Sequence, residues 1–207
     1  LFINIDGKRI QLPKGLEIVG YSVVPITPFG LKDREKYDLT NVPKEVAVEY
    51  AKRQRGYNLQ GSLTVKEENN RKWQSIQFTD ADRKDSIQKD LEDNLFTANP
   101  KRTIYVIHTP LNRTPLDVII NGDHVGSFAV RQFIERYQPL LTLHGHIHET
   151  VYMSGEYKTR IGDTWCMSSG NHNGDSKLAV LTIDLDNLAD AERTRLPCTS
   201  GKFIKRF

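Results

Sequence analysis

All six histidines of this 207-residue chain, His108, His124, His144, His146, His148 and His172, fall after residue 107. Three of them occupy alternate positions in TLHGHIHET, residues 142–150. Clustered imidazoles repel one another when protonated and favour a shared cation, so HGHIH reads as a metal-binding stretch. On an extended segment, side chains two residues apart share a face and stand roughly 6 to 7 Å apart. His146 and His148 are therefore expected to grip one ion or two adjacent ones. Neutral imidazoles suit Mn, Fe, Co or Zn better than Mg or Ca.

The other chemistry-bearing residues are more scattered. A lone histidine at a strand end is most often a hydrogen-bonded structural residue, and that bland reading weighs on His108 taken alone. His172, in GNHN at 170–173, is read as a turn residue chosen for backbone conformation. His124 lies just before Ser127, where a loop and a helix N-terminus could meet a phosphate, although a structural role is the stronger expectation. Arg113 could meet a phosphate through its planar fork, or simply be solvated. Cys166 and Cys198 are far apart and lack a metal-type spacing, so both are read as plain thiols.

The elements that must position these groups follow from periodicity. LFINIDGKRIQL alternates around Asp6-Gly7, a pair that favours a hairpin turn, and LEIVGYSVVPITPF continues as strand. Pro43 and Gly56 bracket a helix through KEVAVEYAKRQ. SLTV and WQSIQF flank KEENNRK as a hairpin with a solvated tip. Thr79 or Asp80 is expected to cap a helix through ADRKDSIQKDLEDNLF, where Ile87, Leu91 and Leu95 form one stripe. RTIYVIH reads as a strand covered on both faces and ending at His108. Ser127 caps a helix through FAVRQFIERY, after which LLTL is a second buried strand delivering the chain into HGHIH. TVYM, TWCMS and KLAVLTIDL are three further expected strands. The order predicts an α/β fold with a mixed sheet or two packed sheets.

Apolar residues at 38% and charged residues at 27% are a globular balance, and one domain spanning 1–207 is the default. The net charge of +3 and pI near 8.8 come from dispersed lysines and arginines, so nucleic acid is not indicated. The apolar runs are too short to cross a bilayer and no charged-then-apolar leader opens the chain, which predicts a cytoplasmic protein with no membrane partner.

Metal-binding folds differ in what surrounds an H-x-H. Metallo-β-lactamase-like hydrolases follow it with Asp-His, whereas His148 precedes Glu149-Thr150; amidohydrolase barrels place it early in a much longer chain. IYVIHTP, followed by GDHVGSFAVRQFIERYQPLLTLHGHIHE, instead closely resembles the last two signature blocks of the calcineurin-like metallophosphoesterases, a strand ending in His and then Gly-His-x-His. ITPFGLKDREKYD resembles a loop of the bacterial and archaeal members. The resemblance is specific in order and spacing from 104 to 149 and weak elsewhere.

It implies two mixed β-sheets packed between helices and hydrolysis of a phosphate mono- or diester at a centre of two divalent transition-metal ions, which generate hydroxide and neutralise phosphoryl oxygens. His108 and His146 would each bind one metal and His148 the other, with Gly145 giving the turn room. The family's upstream Asp-x-His, Gly-Asp and Gly-Asn-His-Asp blocks do not precede His108; GDHV at 122–125 and GNHN at 170–173 stand in the wrong order. The chain is thus expected to be the C-terminal portion of such a domain, with an upstream segment or second chain supplying bridging carboxylates. The alternative is a non-catalytic scaffold or binding relative with a degenerate site. A fold lacking its first strands predicts unpaired edges on RTIYVIH and LLTL, and hence poor solubility or dimerisation. No residue is assigned to the substrate.

Overall fold

A computed structural model describes residues 2–67, 70–95, 99–172 and 177–197. Its centre is a six-stranded mixed sheet. β1 (Arg9–Leu12) pairs antiparallel with β2 (Leu16–Tyr21), and two short strands follow, β3 (Val24–Pro25) and β4 (Glu35–Lys36). The helix α1 (Ala47–Gln54) precedes a hairpin of β5 (Gln60–Glu67) and β6 (Asn70–Gln77); the expected solvated tip includes residues 68–69, outside the described residues. Then come α2 (Ile87–Asp93), β7 (Thr103–Ile107), α3 (Phe128–Tyr137) and β8 (Leu141–His144). The chain closes through α4 (Thr150–Ser154), β9 (Lys158–Ile161), β10 (Thr164–Ser168) and a hairpin of β11 (Lys177–Thr182) with β12 (Glu192–Pro197).

Sheet order is β1-β2-β7-β8-β10-β9, with β2, β7, β8 and β10 mutually parallel. β7 and β8 are therefore central, and the expected unpaired edges on them are not found. Leu16–Tyr21 takes the place beside β7, Ile18 opposite Ile104, and the edges fall to β1 and β9. Both edge strands have four residues and carry charge (Arg9; Lys158 and Arg160), which blunts edge-to-edge pairing.

Alternation along the strands divides the core. Tyr105, Ile107 and Cys166 face Tyr50, Ile87, Leu91, Val130 and Ile134 of the helical layer. Ile104, Leu141 and Met167 face the opposite way, against Leu188, Ala191, Leu181 near the end of β11 and Ile183 just beyond it. Burying an aliphatic side chain contributes about 1.5–3 kcal/mol, so the fully buried Ile107, Ile134 and Leu141 strongly anchor the strands that carry the histidines. The second face is covered by a two-stranded hairpin rather than by a full second sheet.

Three local expectations are corrected. Asp6-Gly7 does turn, with Lys8 N–H donating to Ile5 O at 2.9 Å, but the β1–β2 hairpin turns at Pro13–Gly15, where Lys14 and Gly15 both have positive φ. The long helix expected from residue 81 is split: Thr79 caps a 3₁₀ turn at Asp80–Lys84, and the buried Ser86 starts α2 by accepting from Lys89 N–H at 3.2 Å. TVYM is helical in α4, because the chain has already turned out of the sheet at His146 and finds no strand partner there; tertiary position overrides β-propensity. β9 and β12 were not anticipated. Cys166 is buried in β10 and its thiol is pushed up to about 12 by burial, in keeping with a structural role; Cys198 lies outside the described residues. Among the described residues, no helix is long and apolar enough to cross a membrane.

Candidate functional site

The carboxyl ends of parallel strands are where open α/β sheets bind ligands, and β7 and β8 both lead into histidine. His108 continues β7, its N–H donating to Tyr21 O at 2.8 Å and its carbonyl accepting from Gly145 N–H at 3.0 Å. That second bond draws the loop after β8 onto the end of β7. A Cβ at Gly145 would meet His108 Nδ1 at 3.2 Å, so the missing side chain lets the His108 ring lie against the turn.

His144, at the end of β8, turns inward. Its Nδ1 lies 2.9 Å from Thr109 O and 3.1 Å from Ile107 O, and its Nε2 lies 2.8 Å from Thr142 Oγ1. Carbonyls only accept, so Nδ1 carries the hydrogen and Nε2 accepts from the threonine hydroxyl. Burial lowers its pKa to about 4, keeping the ring neutral. This histidine holds two strand ends together.

His146 is not on an extended segment. Its φ of 64° and the 2.7 Å bond from Ile147 N–H to Gly145 O place it in a tight turn. The turn sets its ring edge-on to His108, with centroids 5.4 Å apart. Burial first, then the charges of His108, His148 and Arg53, depress its pKa to about 4. His108 is lowered too, by desolvation and then by His148. The structure thus brings His108, His146 and the exposed His148 together, through the turn rather than through strand alternation.

The three rings line a cavity of about 1170 Å³ together with His124, Arg53 and Arg113. Its remaining walls are largely apolar, including Ile26, Phe29, Val48 and Ile119. Neutral imidazoles are apt donors for a borderline transition metal. Among the described residues, no group of three or more His, Cys, Asp or Glu is disposed to hold an ion.

The remaining candidates separate. His172 stacks on Tyr152, centroids 5.2 Å apart and planes 9° from parallel, and does not line the cavity. Arg113 pairs with Glu49 at 2.7 Å on the cavity wall. His124 Nδ1 lies 2.7 Å from Oδ1 of the fully buried Asp117. Sequence reasoning missed Asp117, and it missed Arg53, whose guanidinium donates to the carbonyls of Val125 and Gly126. A carboxylate in the otherwise apolar run PLDVII was the available signal for Asp117; Arg53 carried none.

No protein-family model matches the chain, and no curated protein does. Two solved structures are similar. One, at 14% identity and a TM-score of 0.44, is covered over 53% of its length by 93% of this chain. The other, TT1561 of Thermus thermophilus, is 16% identical with a TM-score of 0.42, over 93% of this chain and 58% of its own. The chain spans little more than half the length of either structure.

Proposed function

We propose that this chain is the C-terminal portion of a calcineurin-like metallophosphoesterase domain, hydrolysing a phosphate mono- or diester at a centre of two divalent transition-metal ions. The observation that carries the reading is the juxtaposition of His108 and His146, rings 5.4 Å apart at the carboxyl ends of adjacent parallel strands, beside a large cavity. His108, His146 and His148 are the metal ligands in this reading. The lowered pKa values of His108 and His146 keep imidazole lone pairs free at physiological pH, and Gly145 lets the two rings approach. Since no described carboxylate joins them, the bridging ligands come from another segment or a second chain. The same absence favours the alternative, a binding or scaffold relative with a degenerate site. A cytoplasmic location belongs to the proposal as well.

Elemental analysis of the purified chain, beside a His146→Ala/His148→Ala variant, tests the ligands. With the bridging ligands elsewhere, this chain alone is expected to hold Mn, Fe, Co or Zn well below one equivalent, and a polypeptide that includes the upstream blocks to hold near-stoichiometric metal that the variant loses. Hydrolysis of bis(p-nitrophenyl) phosphate with added Mn²⁺, by a polypeptide that includes the upstream blocks, tests the reaction; the double variant should fall by at least about 10²-fold. A full-length protein without metal or hydrolysis sinks the enzyme reading and leaves the scaffold.

A further inference from the structure

The loop between β7 and α3 is organised around one carboxylate. Asp117 is fully buried, and its Oδ1 accepts from Thr114 N–H at 2.9 Å while Oδ2 accepts from Gly126 N–H at 2.9 Å and Arg113 N–H at 3.1 Å. The fourth donor is the ring of His124. Other contacts pin the same loop. Val118 and His124 form an antiparallel bridge, Ile119 N–H donates to Asp123 O at 3.0 Å, and the Arg53 guanidinium holds the carbonyls of Val125 and Gly126. At Gly126 a Cβ would fall 2.5 Å from Leu111 O, so the closure admits only glycine. Arg113 takes φ 54°, a conformation that costs on the order of 1–3 kcal/mol and persists only where the surroundings impose it.

This construction fixes the His124 ring. An ionised carboxylate only accepts, so Nδ1 carries the hydrogen toward Asp117. Nε2 then has no partner among the described residues, and the side chain, 41% exposed, lines the cavity. His144 differs, because it commits both ring nitrogens to the fold. A carboxylate-oriented imidazole that lines a cavity and leaves its far nitrogen unbonded is an arrangement that can prepare a histidine for a ligand.

We propose that His124 contacts the phosphoryl anion of the substrate through its Nε2 edge, as an imidazolium donating one N–H to Asp117 and the other to a phosphoryl oxygen, and that Asp117 is its positioning residue. The inference rests on the phosphoester reading of the cavity. Lys52 and Arg53 line the same cavity, but so do Glu45, Asp123 and Glu149, and Arg113 is paired with Glu49, so the contact rests on the His124 ring rather than on an excess of positive charge.

The test uses inorganic phosphate as probe and ¹⁵N-imidazole NMR on the purified chain. Phosphate is expected to move the His124 Nε2 resonance toward the imidazolium N–H position while leaving His144 unchanged. In His124→Asn the amide nitrogen takes the place of Nδ1 on Asp117, so the melting temperature should hold while phosphate affinity by calorimetry drops about tenfold. An unmoved His124 resonance, or equal phosphate affinity in wild type and variant, overturns the proposal. So does a resonance that answers to added Zn²⁺ but not to phosphate, which would make His124 a metal ligand. Phosphate contact at His124 in a full-length protein that hydrolyses no ester would keep the contact and refute the enzyme reading, so the two failures are distinguishable.

Discussion

His144 and His146 are two residues apart and do opposite things. His144 is fully enclosed and bonded at both nitrogens, whereas His146 sits in a strained turn with its ring presented to His108. The enclosure of His144 has a measurable consequence. Its folded-state pKa of about 4 lies below its ordinary value near 6.5, so the unfolded chain binds the proton first as pH falls. The stability contributed by the neutral ring is complete above pH 6.5 and is lost as pH drops toward 4. The penalty across that window is about 3 kcal/mol. Urea denaturation at pH 7.5 and pH 4.5 should show this fall, and His144→Asn should flatten the slope; equal slopes would count against it. Gly145→Ala should push the His108 ring by a few tenths of an ångström and shift its Cε1–H resonance with little effect on His144, since the three atoms nearest the added Cβ all belong to His108.

The N-terminus of α3 is anchored from outside the helix. Ser127 accepts from Val130 N–H at 3.0 Å and donates to Asp38, whose carboxylate also accepts from Phe128 N–H at 2.7 Å. Asp38 is fully buried, which raises its pKa, while Arg53 and the helix amides favour its charge. Ser127→Ala should cost about 1 kcal/mol by urea denaturation. Asp38→Ala should cost more, about 2–3 kcal/mol, because it orphans buried donors as well. The serine cap was readable from SFAVRQFIERY, but its partner 89 residues upstream was not, since no local pattern pairs a loop aspartate with a distant helix. α4 illustrates the opposite case: TVYM has the composition of a strand and becomes a helix because no sheet position remains for it.

At the scale of the whole molecule, one sheet with unlike coverings places every parallel strand end on one side. The helices cover one face and the β11–β12 hairpin with its connection covers the other, while His108 and the His144–His148 turn emerge together. Cys166 reports on this packing. It should resist a thiol reagent in the native state and react only on unfolding, read in a Cys198→Ser background; fast native labelling would mean that the sheet opens far more readily than its burial implies.

Residue types and periodicity sufficed to place β7, α3 and β8, the serine cap and the histidines at two strand ends, because each follows from contacts within a few residues along the chain. The meeting of His108 with His146, the inward turn of His144, the Asp117–His124 pair and the coverage of β7 by β2 were decided only by tertiary structure. Each depends on the register between segments distant in sequence, or on a left-handed turn at a non-glycine residue that no propensity favours.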